Sequence, residues 1–170
     1  MENSSIVENL KSFIAGKFNN VEFDFTGDEV CLWLNSEEVH GLIEALKEDA
    51  NLSFNFLTLI GGIHYPDNKG EELVVVYHLH SWKNNFRIRL KTKLSMEKPE
   101  IQSITDLFMG ANWMERETFD FYGIQFTNHP DLRRILNEET MDYHPMLKQY
   151  ALEDDTREDK DDRFFGRQKA

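Results

Sequence analysis

Residues 113–136 read WMERETFDFYGIQFTNHPDLRRIL, mixing charged and aromatic residues more densely than an ordinary helix–turn–helix needs. Trp113, Met114, Phe119 and Tyr122 keep helical spacing, and Gly123 suits a left-handed cap at the helix end. Upstream, Ile101, Ile104, Leu107, Phe108 and Ala111 have the same spacing, so the helix is predicted to start near Ser103 and Asp106. Ile124 and Phe126 alternate with Gln125 in an extended passage. Pro130 suits the first position of a new short helix, with Asp131 in its first turn and Arg133-Arg134 at its end. Arg116 and Asp120 stand four apart and can pair, while Glu115 and Glu117 point about 100° to either side of Arg116. Apolar residues surround these charges, so a simple solvated face cannot hold ERE and FDFYG together. Charges set among aromatics need fixed partners, in the same chain or across an interface. Catalytic carboxylates would look the same, but no substrate pocket follows from the pattern. The segment reads as a structured protein–protein contact.

Outward from this segment the chain is a conventional small α+β domain. Ser5 and Glu8 have capping-box spacing, and Val7, Leu10, Phe13, Ile14 and Phe18 share a helical face. Val21–Phe25 and Glu29–Leu34 alternate as strands around the turn Thr26-Gly27-Asp28. A second helix is predicted from Glu37 to Glu48, capped by Asn35 or Ser36, with Val39, Leu42, Ile43 and Leu46 buried. Leu52–Ile60 reads as a strand closed by Gly61-Gly62, and the loop HYPDNKG leads by a hairpin into Leu73–Trp82. Asn84-Asn85 then turns the chain into Phe86–Leu94. This order predicts a mostly antiparallel sheet with helices packed on one face, followed by a helix–turn–extended C-terminal segment and an acidic tail. The expected division is a sandwich domain over 1–99, a charge-rich partner-binding segment over 100–150 and an extended tail over 151–170.

Composition narrows the function. Acidic residues outnumber basic ones 31 to 19, a net charge of −12 that argues against nucleic acid as the main partner. Cys31 is the only cysteine, which excludes an internal disulfide and any thiolate cluster built by this chain alone. The opening MENSSIVENLK has neither a signal-peptide core nor an arginine-rich import character, and no apolar run is long enough to span a bilayer. One strand stands against the acidic balance: Arg87, Arg89, Lys91 and Lys93 share one face of Phe86–Leu94, opposite Phe86, Ile88, Leu90 and Leu94. That face is a solvated surface, a guard on an edge strand, or a docking stripe for an acidic partner. Glu153–Arg163 carries seven acids and three bases, a composition expected of a solvated tail, and Phe164-Phe165 beyond it could anchor that tail on a partner.

Independent catalysis finds little support. His78 and His80 share a strand face and His64 sits in the preceding loop, so a zinc site is conceivable, but no conventional metal motif is present. Gly61-Gly62 lacks phosphate-loop spacing, and no G-x-S-x-G nucleophile elbow occurs. No catalytic, cofactor-binding or metal residue is assigned.

The segment ERETFDFYGIQFTNHPDLRRIL closely resembles the signature of the C-subunit family of proton-pumping NADH:quinone oxidoreductase, respiratory complex I. DLFMGANWM, VVVYHLHS and FRIRLKTKL are similar to the same family, so the resemblance spans roughly Leu52 to Leu136. The family pattern falls on Glu115, Arg116, Glu117, Asp120, Gly123, Phe126, His129, Pro130, Asp131, Leu132, Arg133 and Arg134. Asn128 stands where the family commonly has glycine, and DYHPMLKQ departs from the family's later G-H/Y-P-L-R-K-D stretch. The resemblance implies a protein with no redox centre or active site of its own, with FMN and iron–sulfur clusters carried by partner subunits. It implies an interface built on Glu115, Arg116, Glu117, Asp120, Gly123, His129, Pro130, Asp131, Arg133 and Arg134. The implied partners are the large quinone-site subunit and its cluster-bearing neighbour. The expected location is the cytoplasmic side of a bacterial inner membrane, with membrane association only through the complex. The alternative is the equivalent subunit of a membrane-bound hydrogenase or an F420- or ferredoxin-linked oxidoreductase.

Overall fold

In the computed structural model, which describes residues 2–18, 20–26 and 29–150, the chain opens with helix α1 (Glu2–Ala15). Ser5 therefore lies inside the helix, and the Ser5–Glu8 spacing is not the predicted capping box. Leu10 and Ile14 reach the core with Val7, Phe13 and Phe18 packed beside them, the expected stripe. Strands β1 (Glu22–Thr26) and β2 (Glu29–Trp33) pair antiparallel; Gly27 and Asp28 of the predicted turn lie outside the described residues. A 3-10 turn at Ser36–Glu38 precedes α2 (Val39–Glu48), so the α-helix starts two residues later than predicted. Val39, Leu42, Ile43 and Leu46 are its buried residues, as their spacing requires.

The predicted meander follows as β3 (Phe56–His64), β4 (Leu73–Ser81) and β5 (Phe86–Leu94). The sheet order is β1-β2-β5-β4-β3, antiparallel except where β2 meets β5. That one parallel seam follows from the connection through α2, since parallel neighbours need a crossover rather than a hairpin. β5 consequently lies inside the sheet, and its four cations guard no edge. Leu73, Val75, Tyr77 and Leu79 of β4 join Phe86, Ile88, Leu90 and Leu94 of β5 and the buried residues of α1 and α2 in one core. The helices thus cover one sheet face, and the alternate residues of each strand form the other.

β3 departs from its predicted bounds. It begins at Phe56 rather than Leu52, because Asp49 Oδ1 accepts the N–H groups of Asn51 and Leu52, each at 2.9 Å, in a turn that follows α2. It also runs through Gly61 and Gly62 to His64 instead of stopping at the glycines.

Beyond β5 come β6 (Glu100–Gln102), α3 (Ala111–Tyr122) and β7 (Gln125–Thr127), with β6 and β7 paired in parallel. Gly123 caps α3 at φ 78°, its N–H donating to Phe119 O, as predicted. The helical start predicted near Ser103 is wrong. Ile101 points inward from β6, and residues 103–110 form a turn held from outside: Lys47 Nζ donates to Leu107 O at 2.6 Å and His40 pairs with Asp106 at 2.9 Å. The helix predicted at Pro130 is also absent, for Asn128 adopts φ 64° and the chain continues without regular structure. Ile101, Ile104, Ala111, Ile124, Phe126 and Leu147 enter the same core as the five-stranded sheet. The acidic run Glu153–Arg163 and Phe164-Phe165 lie outside the described residues. Among the described residues no helix is long and apolar enough to cross a membrane.

The glycine pair explains how α3 sits against β3. A Cβ on Gly62 would lie 2.5 Å from Tyr122 Cδ2, whereas one on Gly61 meets nothing within 4 Å. Gly62→Ala should therefore cost about 1–3 kcal/mol in urea unfolding, the usual range for overpacking, and Gly61→Ala should cost less than about 0.5 kcal/mol. Equal effects of the two substitutions would show that the α3–β3 contact does not depend on this approach.

Candidate functional site

Asp120 sits in the last turn of α3 with no exposure to solvent. Its Oδ2 accepts the backbone N–H groups of Ile135, Leu136 and Asn137 at 3.1, 2.8 and 2.9 Å. Its Oδ1 accepts from Arg134 Nη1 at 2.6 Å and Asn137 Nδ2 at 3.1 Å. Arg134 reaches on through Nη2 to the carbonyls of Met141 and Tyr143, at 2.8 and 2.9 Å. Arg116 does not form the predicted pair with Asp120. It donates instead to the carbonyls of Arg133 and Arg134, both at 3.1 Å, and stacks over Trp113. His144 Nδ1 donates to Asp120 O at 2.9 Å, and its ring lies where a Cβ on residue 123 would fall. Gly123 is thus required twice, for its positive φ and for this space.

These bonds fasten a stretch without helix or strand onto the end of α3. Burial alone would raise the Asp120 carboxyl. The N–H groups of Asn137 and Leu136, the Arg134 guanidinium and the Asn137 amide outweigh it and hold the group well below its ordinary 3.8. A carboxyl depressed on folding contributes stability above its ordinary pKa and loses that contribution as pH falls below it.

Glu115 is the opposite case. It is fully buried on the inner side of α3, where Oε1 accepts Ile104 N–H at 2.8 Å while Oε2 has no partner among the described residues. Burial raises its pKa from 4.5 to about 7 against the lowering effect of Ile104 N–H and the Ser103 hydroxyl. Glu115 therefore closes the 103–110 turn onto α3, and it does so at a cost once it ionises.

The other residues singled out in the sequence are placed as follows. His129 is half-buried, with Nε2 donating to Asn112 O at 3.2 Å and Nδ1 accepting Asp131 N–H at 3.0 Å. Glu117, Pro130, Asp131 and Arg133 are exposed, the last two paired at 2.9 Å. Glu115, Arg116, Asp120 and Arg134 are brought together by bonds inside the chain, whereas Glu117, Asp131 and Arg133 face outward, as do the exposed apolar residues Met109, Trp113 and Leu136. Sequence reasoning missed Asn137 and His144, whose signal is only an amide and an imidazole in a stretch without periodicity.

The three histidines do not converge. His64 ends β3 on the core side, where Nδ1 accepts Lys148 N–H at 2.9 Å; burial and then the Lys148 charge lower its pKa. His78 and His80 lie on the opposite sheet face, accepting from Arg89 Nε at 3.2 Å and Arg87 Nε at 3.3 Å. Among the described residues no group of three His, Cys, Asp or Glu is placed to hold a metal ion. Cys31 is buried, and burial pushes its thiol above its ordinary value.

Residues 32–156 match the profile of a family described as respiratory-chain NADH dehydrogenase, 30 Kd subunit. The chain belongs to this family. The match is wider than the 52–136 stretch that carries the signature, reaching from β2 past the clamp around Asp120. A relative from Roseiflexus sp., named as the C subunit of NADH-quinone oxidoreductase, is 36% identical over 152 residues, which are 89% of this chain and 86% of the relative. One of the same name from Nocardioides sp. is 40% identical over 124 residues, 73% of this chain, so the chain spans about half that relative's length at 50%. Among solved structures, the trypsin-resistant fragment (1-134) of Nqo5 is 30% identical with a TM-score of 0.60, covering 78% of this chain and 100% of the fragment. A chain of an archaeal membrane-bound sulfane sulfur reductase shares the fold, with a TM-score of 0.72 over 86% of this chain and 85% of that one at 18% identity.

Two outcomes follow from the two buried carboxyls. Asp120→Ala should lower stability by about 3–5 kcal/mol, since it strands Arg134 and three N–H groups, and should open trypsin cleavage after Arg133 and Arg134. For Glu115 the folded pKa lies above the unfolded one, so stability falls as pH rises from 4.5 to about 7 and is level beyond. Glu115→Gln should remove that slope, worth on the order of 3 kcal/mol between about pH 5 and about pH 8 in urea unfolding. An unchanged slope in this variant would mean that Glu115 titrates alike in the folded and unfolded chain.

Proposed function

We propose that this chain is a non-redox scaffold in the peripheral arm of a proton-translocating NADH:quinone oxidoreductase. In this reading it holds the large quinone-site subunit and a cluster-bearing neighbour in register for electron transfer from NADH to quinone. FMN and the iron–sulfur clusters belong to partner subunits, and the chain meets the cytoplasmic side of the bacterial inner membrane only through the complex. The observation that carries the reading is the family match over residues 32–156, together with a relative named as a C subunit of this oxidoreductase that aligns over 86% of its own length.

Physical chemistry supports a positioning role. Arg116, Asp120 and Arg134 of the signature segment fasten residues 133–144 to α3, which holds an irregular stretch to one path. A fixed surface suits a protein whose work is geometry, because electron-transfer rates fall steeply with distance. Met109 in the turn just before α3 and Trp113 in its first turn are 90% and 61% exposed, with Glu117 near them in the chain and exposed as well. An aromatic anchor rimmed by charge is the usual composition of a binding hot spot.

The test is to tag the chain in its own organism and purify it gently from detergent-solubilised membranes. A large particle containing flavin and iron–sulfur clusters, which oxidises NADH with quinone as acceptor, is the expected result. A large particle that evolves hydrogen or ignores NADH would move the chain to the related oxidoreductases, and a lone chain would overturn the scaffold reading. Met109→Ser with Trp113→Ser should cut recovery of that particle by about tenfold or more, while the purified chain melts within a few degrees of the unaltered one. Undiminished recovery would take the outward side of α3 out of the interface.

A further inference from the structure

All three helices contribute buried residues to the core on one side of the five-stranded sheet. On the other side Cys31, Val74, Val76 and His80 are buried, Asp24 of β1 shares the face, and Phe56, Leu59, Trp82, Arg87 and Lys93 are exposed. That face has an unusual composition. Down its middle, Arg87, Arg89, Lys91 and Lys93 alternate along β5, the outer two exposed and the inner two half-buried. Same-face residues of a strand repeat at about 7 Å, so the four cations form a row about 20 Å long. Arg87 and Arg89 each give Nε–H to an imidazole of β4, and Lys91 lies over the Trp33 ring at 5.0 Å. Lys93 pairs with Glu71 at 2.6 Å where both side chains are about half-exposed. At one end of the row Phe56 and Trp82 meet edge to face at 5.4 Å, with Leu59 on the same strand as Phe56, and all three are exposed.

We propose that this face docks an acidic, extended segment of a partner protein, its carboxylates on the β5 cations and an apolar side chain in the Phe56–Trp82 corner. The inference rests on the reading that the chain works inside an assembly, and it adds a second surface to the one on α3. Charge complementarity chooses the occupant. An extended segment with acids at alternate positions has the same ~7 Å repeat as the cations, so carboxylates and cations can pair along its length. Guanidinium groups grip a carboxylate through a planar fork, and ammonium groups meet one as point charges, so the row offers both kinds of contact. An anionic bilayer or a nucleic acid is disfavoured because the chain as a whole carries −12 and repels an extended anionic surface. A single acidic segment, by contrast, feels mainly the charges within the screening length of about 8–10 Å.

The experiment places a photo-reactive p-benzoylphenylalanine at position 59 of the tagged full-length chain, irradiates the cells and identifies the crosslinked peptide by mass spectrometry. A second probe at position 113 serves as control. The expected product is a segment of another protein rich in Asp and Glu, with its yield cut about tenfold by Arg87→Glu combined with Lys93→Glu. Crosslinking to residues 151–170 of the same chain, to a second copy of it, to lipid, or to a partner segment without acids would overturn the proposal. So would no crosslink at 59 while 113 reacts. If the charge-reversed chain does not fold, the identity of the product from the unaltered surface decides the question. A chain that crosslinks as expected at 59 yet never co-purifies with a flavin and iron–sulfur particle would retain this surface and lose the functional reading above.

Discussion

A buried carboxylate is expensive to keep charged unless its lone pairs are met, and Asp120 is met on every side. Three backbone N–H groups, a guanidinium and an amide converge on its two oxygens, all from residues 134–137. Three consecutive N–H groups turned toward one oxygen require a tight local curve of the backbone. The charge therefore shapes the chain around it rather than merely pairing with it. Arg134 then carries that constraint outward to Met141 and Tyr143, and His144 returns it to the Asp120 carbonyl. Leu147 can enter the core and Lys148 can meet His64 on β3 because the path before them is already set.

The same constraint reaches the sheet through α3. Gly123 must accept both a positive φ and the His144 ring, and Gly62 must leave room for Tyr122, so each end of the contact uses a missing side chain. Glu115 fastens the other side of the helix to the turn at Ile104, though its second oxygen lacks a partner among the described residues. The helix is thus held by a carboxylate that folding favours and by one that folding disfavours at neutral pH. Its C-terminal end is the better secured.

How much of this is legible in the sequence follows from where the bonds are made. β5 and the buried stripe of α2 obey short-range alternation, and both can be read residue by residue. The cap at Gly123 is legible for the same reason, being a local need for a positive φ. The stretch after Gln102 misleads because Ile101, Ile104, Leu107 and Phe108 fit helical spacing and also fit a short strand followed by a turn. What decides between them is β7, Lys47 and Glu115, all distant in sequence. Gly61-Gly62 reads as a stop, although a glycine inside a strand pattern equally marks a close approach. Arg116 and Asp120 have correct spacing for a pair, but Arg134 offers Asp120 a buried bond that a neighbour on the same helix does not match. Glu115, Arg116, Asp120 and Arg134 of the signature segment do have fixed partners, as their aromatic surroundings suggest, whereas Glu117 is exposed. That several of those partners are backbone carbonyls and N–H groups of residues 133–137 is illegible, because backbone groups carry no sequence signal.

The division of labour inside the segment bears on how a small chain can join others. Side chains that hold the segment together point inward or along α3, which leaves Met109, Trp113 and Leu136 to be displayed rather than buried. These lie on the helix layer, while the β5 cations and the Phe56–Trp82 corner lie on the far side of the sheet layer. The two surfaces are therefore carried by different parts of one domain that share a single core. A chain with one displayed surface can only decorate a neighbour. With two surfaces joined through one packed core, it can fix the distance between neighbours, which is the property a positioning protein needs.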